Sequence, residues 1–470
     1  MTEVYPIRLN WRNRQGGMAV DGLLDDAARR AQRYLDALPQ RPVVPAAADL
    51  AALARLDVPL APDPTDPRQV LALLDEVVGP ATVAMAGPRF FGLVTGGSLP
   101  AALAANWLAG AWDQNACFHA TAPGVAHLEV VALRWLHELF GWDDPMAGAF
   151  VTGATLANFA ALAAARHQVL ADAGWAVDAD GLFGAPPIQV IVGAEAHPTL
   201  FKSLGLLGLG RSRVTRVPVD AQGRMRADSL PPINGPAILC LQAGNVNTGS
   251  FDPFDAIIPA AKRAGAWVHV DGAFGLWAAA CAGRRFLTRG IELADSWATD
   301  GHKWLNVPYD CGIVFVRRRA ALQAAMAITA DYLPTQSPYR NPSDFTPESS
   351  RRARGVEVWA ALAALGRSGI DAMIEGCCRH AGRFAELLGA AGFCIHNEVV
   401  LNQVLVSFGP PAVTRRVIAA IQAEGTCWAG VTVWQGHTAM RISVSSWATT
   451  AQDVEQSAAA IIRIARQLGA

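Results

Sequence analysis

Ala298-Thr299-Asp300-Gly301-His302-Lys303-Trp304 is the stretch on which the fold turns. Ser296 to Thr299 reads as a short strand, and Lys303 comes just after it. A second strand-like run, Trp267-Val268-His269-Val270, closes on Asp271-Gly272-Ala273. A carboxylate that ends a buried strand is costly without a partner. The two runs thus set an amine and an acid at strand ends, where an open α/β sheet gathers its ligands.

Further runs of the same kind flank these two. Ile188 to Val192, Val214 to Val219, Ala237 to Leu241 and Gly312 to Val316 read as strands. Leu99 to Trp112, His127 to Phe140, Leu156 to Leu170 and Pro253 to Ala264 read as helices. Such alternation implies a largely parallel sheet covered on both faces. Residues 1–87 read as an N-terminal helical arm, interrupted by proline-rich connectors at Pro42 to Pro45 and Pro59 to Pro67. Residues 88–325 form the large α/β domain on this reading. Beyond it, a proline- and serine-rich loop (Tyr332 to Ser350) leads into helices at Val356 to Leu365 and Gly369 to Ala390. Short strands at Val404 to Phe408 and Met440 to Val444 and a last helix, Ala451 to Leu468, complete a small α+β domain over 326–470.

Bulk properties narrow the function classes. A chain of 470 residues can enclose at least one large core. Its net charge of −1 gives no global field for nucleic acid or an anionic membrane. The apolar stretch Leu99 to Trp112 is too short for a bilayer and contains Asn106. The N-terminus lacks a basic-then-apolar signal, so a cytoplasmic location is expected. The eight cysteines include no CxxC pair and read as reduced, mostly buried thiols. Cys377-Cys378 with His380 has no second ligand pair, so no metal is expected.

Four weak signals then fall in one order at the strand ends. Val151-Thr152-Gly153-Ala154-Thr155 leads into a helix, where glycine and the first free N–H groups can hold an oxyanion. His197 follows the strand ending at Val192 and offers a flat ring that can also donate a proton. Asp271 supplies the acid, and the small Ala273 leaves room beside it. His302 and Lys303 supply a second phosphate contact and an amine. Each alone also fits a capped helix or a solvated loop. Together they meet the demands of pyridoxal 5'-phosphate (PLP): a phosphate anchor, a Schiff-base lysine, an acid at the ring nitrogen and flat packing on the ring.

The chain resembles the group II PLP-dependent amino acid decarboxylases, which include the aromatic amino acid, glutamate and diaminobutyrate enzymes. The likeness runs from about Asp25 to the C-terminus. Its most specific piece is Asp300-Gly301-His302-Lys303-Trp304-Leu305-Asn306-Val307-Pro308-Tyr309-Asp310-Cys311-Gly312. Pro88-Arg89-Phe90-Phe91-Gly92, His269-Val270-Asp271-Gly272-Ala273 and Ser349-Ser350-Arg351-Arg352 add to it. The resemblance implies the aspartate aminotransferase fold and decarboxylation of an L-amino acid to its amine and CO2. By it, Lys303 forms the Schiff base, Asp271 pairs with the pyridinium and His197 stacks on the ring. Gly153, Ala154, Thr155 and His302 hold the phosphate, and Ala273 faces the ring. Tyr332 matches the start of a loop whose tyrosine protonates the carbanion in family members. A homodimer is implied, with walls from Gly96 to Pro100 and Asn115 to His119 that could cross between subunits.

Departures from the family pattern bear on the substrate. Leu156 stands where a glutamate is common, and the loop from Tyr332 to Arg351 is short. Gly244-Asn245-Val246 replaces a frequent Gly-Thr-Thr, leaving Thr248 as the substitute hydroxyl. With Ser98, Asn115, Cys117 and His119 as pocket candidates, an aromatic or other uncharged amino acid is the expected substrate. The alternatives are Cα–Cβ cleavage or transamination on the same fold, the latter with Arg441 as a carboxylate clamp. A catalytically silent binding protein on this fold is the reading from a different class.

Overall fold

The computed structural model describes residues 22–143, 146–328, 330, 333 and 338–470. They divide into two compact units, ending at Gly87 and beginning at Pro88.

In the first unit the Leu23–Ala37 helix carries Arg30 and Arg33, both paired with Asp75 at 2.8 and 2.9 Å. Arg41 donates to the carbonyls of Gly79, Pro80 and Thr82 at a helix end, where carbonyls lack intrahelical partners.

The second unit is built on a seven-stranded sheet. Its strands are β1 (Ala147–Val151), β2 (Gln189–Gly193), β3 (Thr215–Val217), β4 (Ala237–Gln242), β5 (Trp267–Asp271), β6 (Ser296–Asp300) and β7 (Gly312–Val316). The spatial order is β1-β7-β6-β5-β4-β2-β3, with β7 antiparallel to both its neighbours and the other pairings parallel. The strands are nearly continuous in apolar residues because both faces are covered. Ile238 and Cys240 of β4 point into one core with the Ala154–Ala171 helix, while Leu239 and Leu241 point into the opposite core. The alternation of side chains across a strand thus feeds two cores from one run.

β1 went unread as a strand because Ala147-Gly148-Ala149 has no β-branched residue. Pairing with β7 creates it, in the register Val151↔Gly312. Gly312 is needed there, since a Cβ would lie 2.4 Å from the Gly153 backbone.

A second sheet holds β8 (Cys394–Ile395), β9 (Gln403–Ser407), β10 (Gly430–Trp434) and β11 (His437–Ser443) in the order β10-β11-β9-β8, all antiparallel. Gln435 (φ 45°) and Gly436 (φ 86°) make the two-residue turn of the β10–β11 hairpin, as its twist requires. The Pro88 to Gly92 motif fastens to this sheet: Phe91 N–H donates to Trp428 O at 2.8 Å, and Ser443 N–H donates to Phe91 O at 2.9 Å. The long Gly355–Ala390 helix is broken by a non-helical Gly366, between the two helices read from the sequence.

Candidate active site

Five strands of the large sheet end around one cleft of about 350 Å³. Gly153, Ala154 and Thr155 follow β1, His197 and Thr199 follow β2, and Gln242 ends β4. Asp271 and Ala273 come at the end of β5, and Asp300, His302 and Lys303 at the end of β6. The structure thus brings together eight of the candidates named from the sequence: Gly153, Ala154, Thr155, His197, Asp271, Ala273, His302 and Lys303. Tyr332 lies outside the described residues.

Lys303 Nζ lies 2.9 Å from Asp300 Oδ2. The other oxygen of Asp300 accepts the Ala154 N–H at 2.6 Å, at the head of the Ala154–Ala171 helix. That N–H is one of those the sequence offers to an oxyanion, and here a buried carboxylate accepts it. His302 Nδ1 accepts the Cys311 N–H at 3.0 Å, which puts the proton of a neutral ring on Nε2, and Nε2 lies 3.6 Å from Asp300 Oδ1. Burial holds the His302 pKa below the usual histidine value, against the pull of Asp300. Tyr309 stacks on the His302 ring at 4.3 Å.

Asp271 is 5% exposed. Its Oδ2 accepts the Asn158 amide at 3.1 Å and its Oδ1 the Ala273 N–H at 3.2 Å. Among the described residues it has no cationic partner within salt-bridge distance. A buried carboxylate that faces a cleft without a counter-ion fits a ligand carrying a proton on a ring nitrogen.

His197 sits at the head of the Pro198–Leu206 helix. Thr199 N–H donates to its Nδ1 at 3.3 Å, and the Thr199 hydroxyl lies 2.7 Å from the same atom. Nδ1 is therefore an acceptor and a neutral ring keeps its proton on Nε2. Burial lowers the His197 pKa, outweighing the attraction of Asp271.

The approach loop is built closely on Lys303. Leu93 (φ 57°) and Val94 (φ 55°) line the cleft in the left-handed region, a costly state for β-branched Val94. Gly96 lets the loop cross Lys303, since a Cβ would come 1.8 Å from its carbonyl oxygen.

Other expectations are redirected. Thr248 does not supply the missing hydroxyl: it is buried and donates to Gln222 O at 2.7 Å, outside the cleft. Val246, not Asn245, lines the cleft. Ser98, Asn115, Cys117 and His119 are not among the described residues lining it within one chain. Cys117 instead meets Ser349 (3.4 Å), and His119 stacks on Tyr339 (4.2 Å). Arg351 of the Ser349 to Arg352 motif holds Glu129 at 2.7 Å and the carbonyls of Ala116 and Phe150, while its buried Nε has no hydrogen-bond partner among the described residues. Arg441 donates to Val246 O at 3.2 Å, and among the described residues it pairs with no carboxylate.

A glycine-led helix start, an amine, a flat histidine ring and an acid with no cation among the described residues are a set that would fit PLP. Asp300, Asn158 and Thr199 were not singled out from the sequence. A polar Asn158 in an alanine-rich helix was the one available signal.

Residues 50–409 match the family described as the pyridoxal-dependent decarboxylase conserved domain. Over 301 residues the chain is 29% identical to the acidic amino acid decarboxylase GADL1 of Bos taurus, covering 61% of this chain and 57% of that protein. It is 30% identical over 301 residues to the cysteine sulfinic acid decarboxylase of Rattus norvegicus, with 61% and 60% covered. These matches thus span less than two thirds of either relative. Tryptophan decarboxylase 1 of Oryza sativa subsp. japonica is 26% identical over 412 residues, 78% of each chain. Among solved structures, Oryza sativa TDC with PLP and tryptamine aligns at TM-score 0.89 and 21% identity, covering 97% of this chain and 99% of that one. Mouse CSAD in apo form aligns at 0.85 and 23%, with 95% and 98% covered. These likenesses establish the fold.

Proposed function

Because the chain belongs to the pyridoxal-dependent decarboxylase family, we propose that it binds PLP and decarboxylates an L-amino acid to its amine and CO2. The observation that carries this reading is Asp271, a buried carboxylate with no cation at salt-bridge distance among the described residues, in the same cleft as Lys303 and Gly153 to Thr155.

When bound, PLP supplies an aldehyde for amines and a flat ring that accepts the electron pair of a broken Cα bond. Lys303 is the amine that holds the cofactor between turnovers, and Asp300 keeps that amine in the cleft beforehand. Gly153, Ala154, Thr155 and His302 hold the phosphate, and Ala273 leaves room for the ring. Asp271 would hold a proton at the ring nitrogen, and that proton is what lets the ring accept an electron pair. His197 covers the ring and carries a proton on Nε2. Tyr332 is the assigned acid at Cα, with His197 the alternative donor.

A homodimer in the cytoplasm is part of the proposal. Trp107, Leu108 and Trp112 leave an apolar face on the Pro100–Trp112 helix, 46%, 54% and 46% exposed. Asn115 and His119 would then serve a neighbouring site. Among the described residues no helix is long and apolar enough to cross a membrane.

Arg441, a largely buried cation with no carboxylate partner among the described residues, keeps transamination as the second reading, since an arginine clamp retains the carboxylate that a decarboxylase releases. The test is a panel of aromatic, acidic and aliphatic L-amino acids given to PLP-loaded protein, scored in parallel for amine, aldehyde, ammonia and CO2. Amine with CO2 supports decarboxylation, aldehyde marks Cα–Cβ cleavage, and dependence on a keto acid marks transamination.

A further inference from the structure

Behind Asp271 runs a line of buried polar side chains that the mechanism above does not use. Trp267 Nε1 is 2.9 Å from Ser296 Oγ, which is 3.0 Å from His269 Nδ1. His269 Nε2 is 2.8 Å from Asn158 Oδ1, and Asn158 Nδ2 is 3.1 Å from Asp271 Oδ2. Asn158, His269 and Ser296 are all 0% exposed, and none of them lines the cleft.

The direction of every link follows from its ends. An indole N–H can only donate, so Ser296 Oγ accepts from Trp267 and turns its own proton to His269 Nδ1. His269 is neutral, since burial pushes its pKa down to about 3, so its one proton sits on Nε2 and goes to Asn158 Oδ1. The Asn158 amide N–H is then left facing Asp271, which as a carboxylate can only accept. Each link pairs one donor with one acceptor, and no acceptor faces another. Asn158 lies one turn along from Ala154 on the same helix, so the chain also ties the cradle to Asp271.

We propose that Asn158, His269, Ser296 and Trp267 are positioning residues that hold Asp271 as a fixed, ionised acceptor and so keep the proton on the cofactor's ring nitrogen. The proposal rests on the PLP reading. A hydrogen bond given to a carboxylate favours its charged form, and links in a dry network strengthen one another. Without the Asn158 donor, only the Ala273 N–H would remain to hold Asp271, and the shared proton would sit less firmly on the ring nitrogen. The ring nitrogen then loses charge, and the ring becomes a poorer electron acceptor.

The test uses holoenzyme reconstituted with PLP carrying 15N in the ring. Wild type, Asn158→Leu, His269→Gln and the milder Ser296→Ala are compared by the ring 15N shift and by steady-state kinetics. Wild type should show a pyridinium nitrogen. Asn158→Leu should move the shift toward neutral pyridine and lower kcat at least tenfold with KM within about twofold. Ser296→Ala, the least disruptive to folding, should move both in the same direction by less. His269→Gln, which can still donate to Asn158, should keep most of the pyridinium signal. A ring nitrogen that stays fully pyridinium in both Asn158→Leu and Ser296→Ala overturns the proposal, even if kcat falls. A wild-type protein that binds no labelled PLP overturns the cofactor reading itself, a different result.

Discussion

Asp300 holds the Lys303 ammonium at 2.9 Å through one oxygen while its other oxygen takes the Ala154 N–H at 2.6 Å. One carboxylate thus occupies both the amine and a donor of the anion cradle. On the proposed assignment, a PLP phosphate would bind beside that negative charge. Asp300→Asn should therefore tighten PLP binding several-fold in a fluorescence titration, since like charges at close range cost more in a buried site. Pyridoxal without the phosphate should change little. Equal tightening of both ligands would place the effect on Lys303 alone.

Acid should destabilise the fold through His269. Its folded pKa lies near 3, below the ordinary value of 6.5. The unfolded chain therefore binds a proton that the folded one refuses, so stability is full above pH 6.5 and falls as pH drops toward 3. The slope for one such group is about 1.4 kcal/mol per pH unit. Urea midpoints measured between pH 7.5 and 5 should fall accordingly, and His269→Gln should flatten that decline. An unaltered slope in the variant would show that other groups carry it.

Glu129 anchors the segment that follows Tyr332. It is buried, which pushes its pKa up, but Arg351 and Arg340 outweigh this and hold it below the usual carboxylate range. The pairs measure 2.7 and 2.8 Å. Glu129→Gln leaves two buried guanidinium groups without their counter-ion and should cost roughly 3–5 kcal/mol. Thermal unfolding would read this as a clear loss of Tm. A loss under about 1 kcal/mol would mean that the backbone carbonyls alone hold both arginines.

Tyr332→Phe removes the acid assigned to Cα. Turnover should fall, with carbonyl compound and ammonia appearing beside the amine, as product analysis would detect. An unchanged product ratio would transfer the role to His197.

Apart from β1, the large sheet was legible because strands buried on both faces read as unbroken apolar runs, and Gly312 to Val316 shows this well. Candidate residues of the cleft were legible at or just after such runs, as with Asp271 and Lys303, although Asp300, which ends β6, was passed over. Residues inside the elements were not legible. His269 and Ser296 sit within strands, and Asn158 within a helix, so only three-dimensional pairing reveals their line to Asp271. Hydroxyl and thiol candidates misled for a related reason. Thr248 and Cys117 satisfy themselves against the protein, which linear order does not show. β10, with its alternating Val431-Thr432-Val433, escaped notice because both valines face outward at 49% and 57% exposure and add nothing to the core pattern.

The proposed decarboxylation depends on Lys303. The most direct measurement supplies PLP-loaded protein with carboxyl-labelled amino acids and counts labelled CO2 against amine, for wild type and Lys303→Ala side by side. The account predicts equal amounts of CO2 and amine from wild type on at least one substrate, with no keto acid required, and none from a folded Lys303→Ala. Labelled CO2 released at the wild-type rate by Lys303→Ala, or wild-type turnover that leaves the carboxyl label in the product, would contradict it.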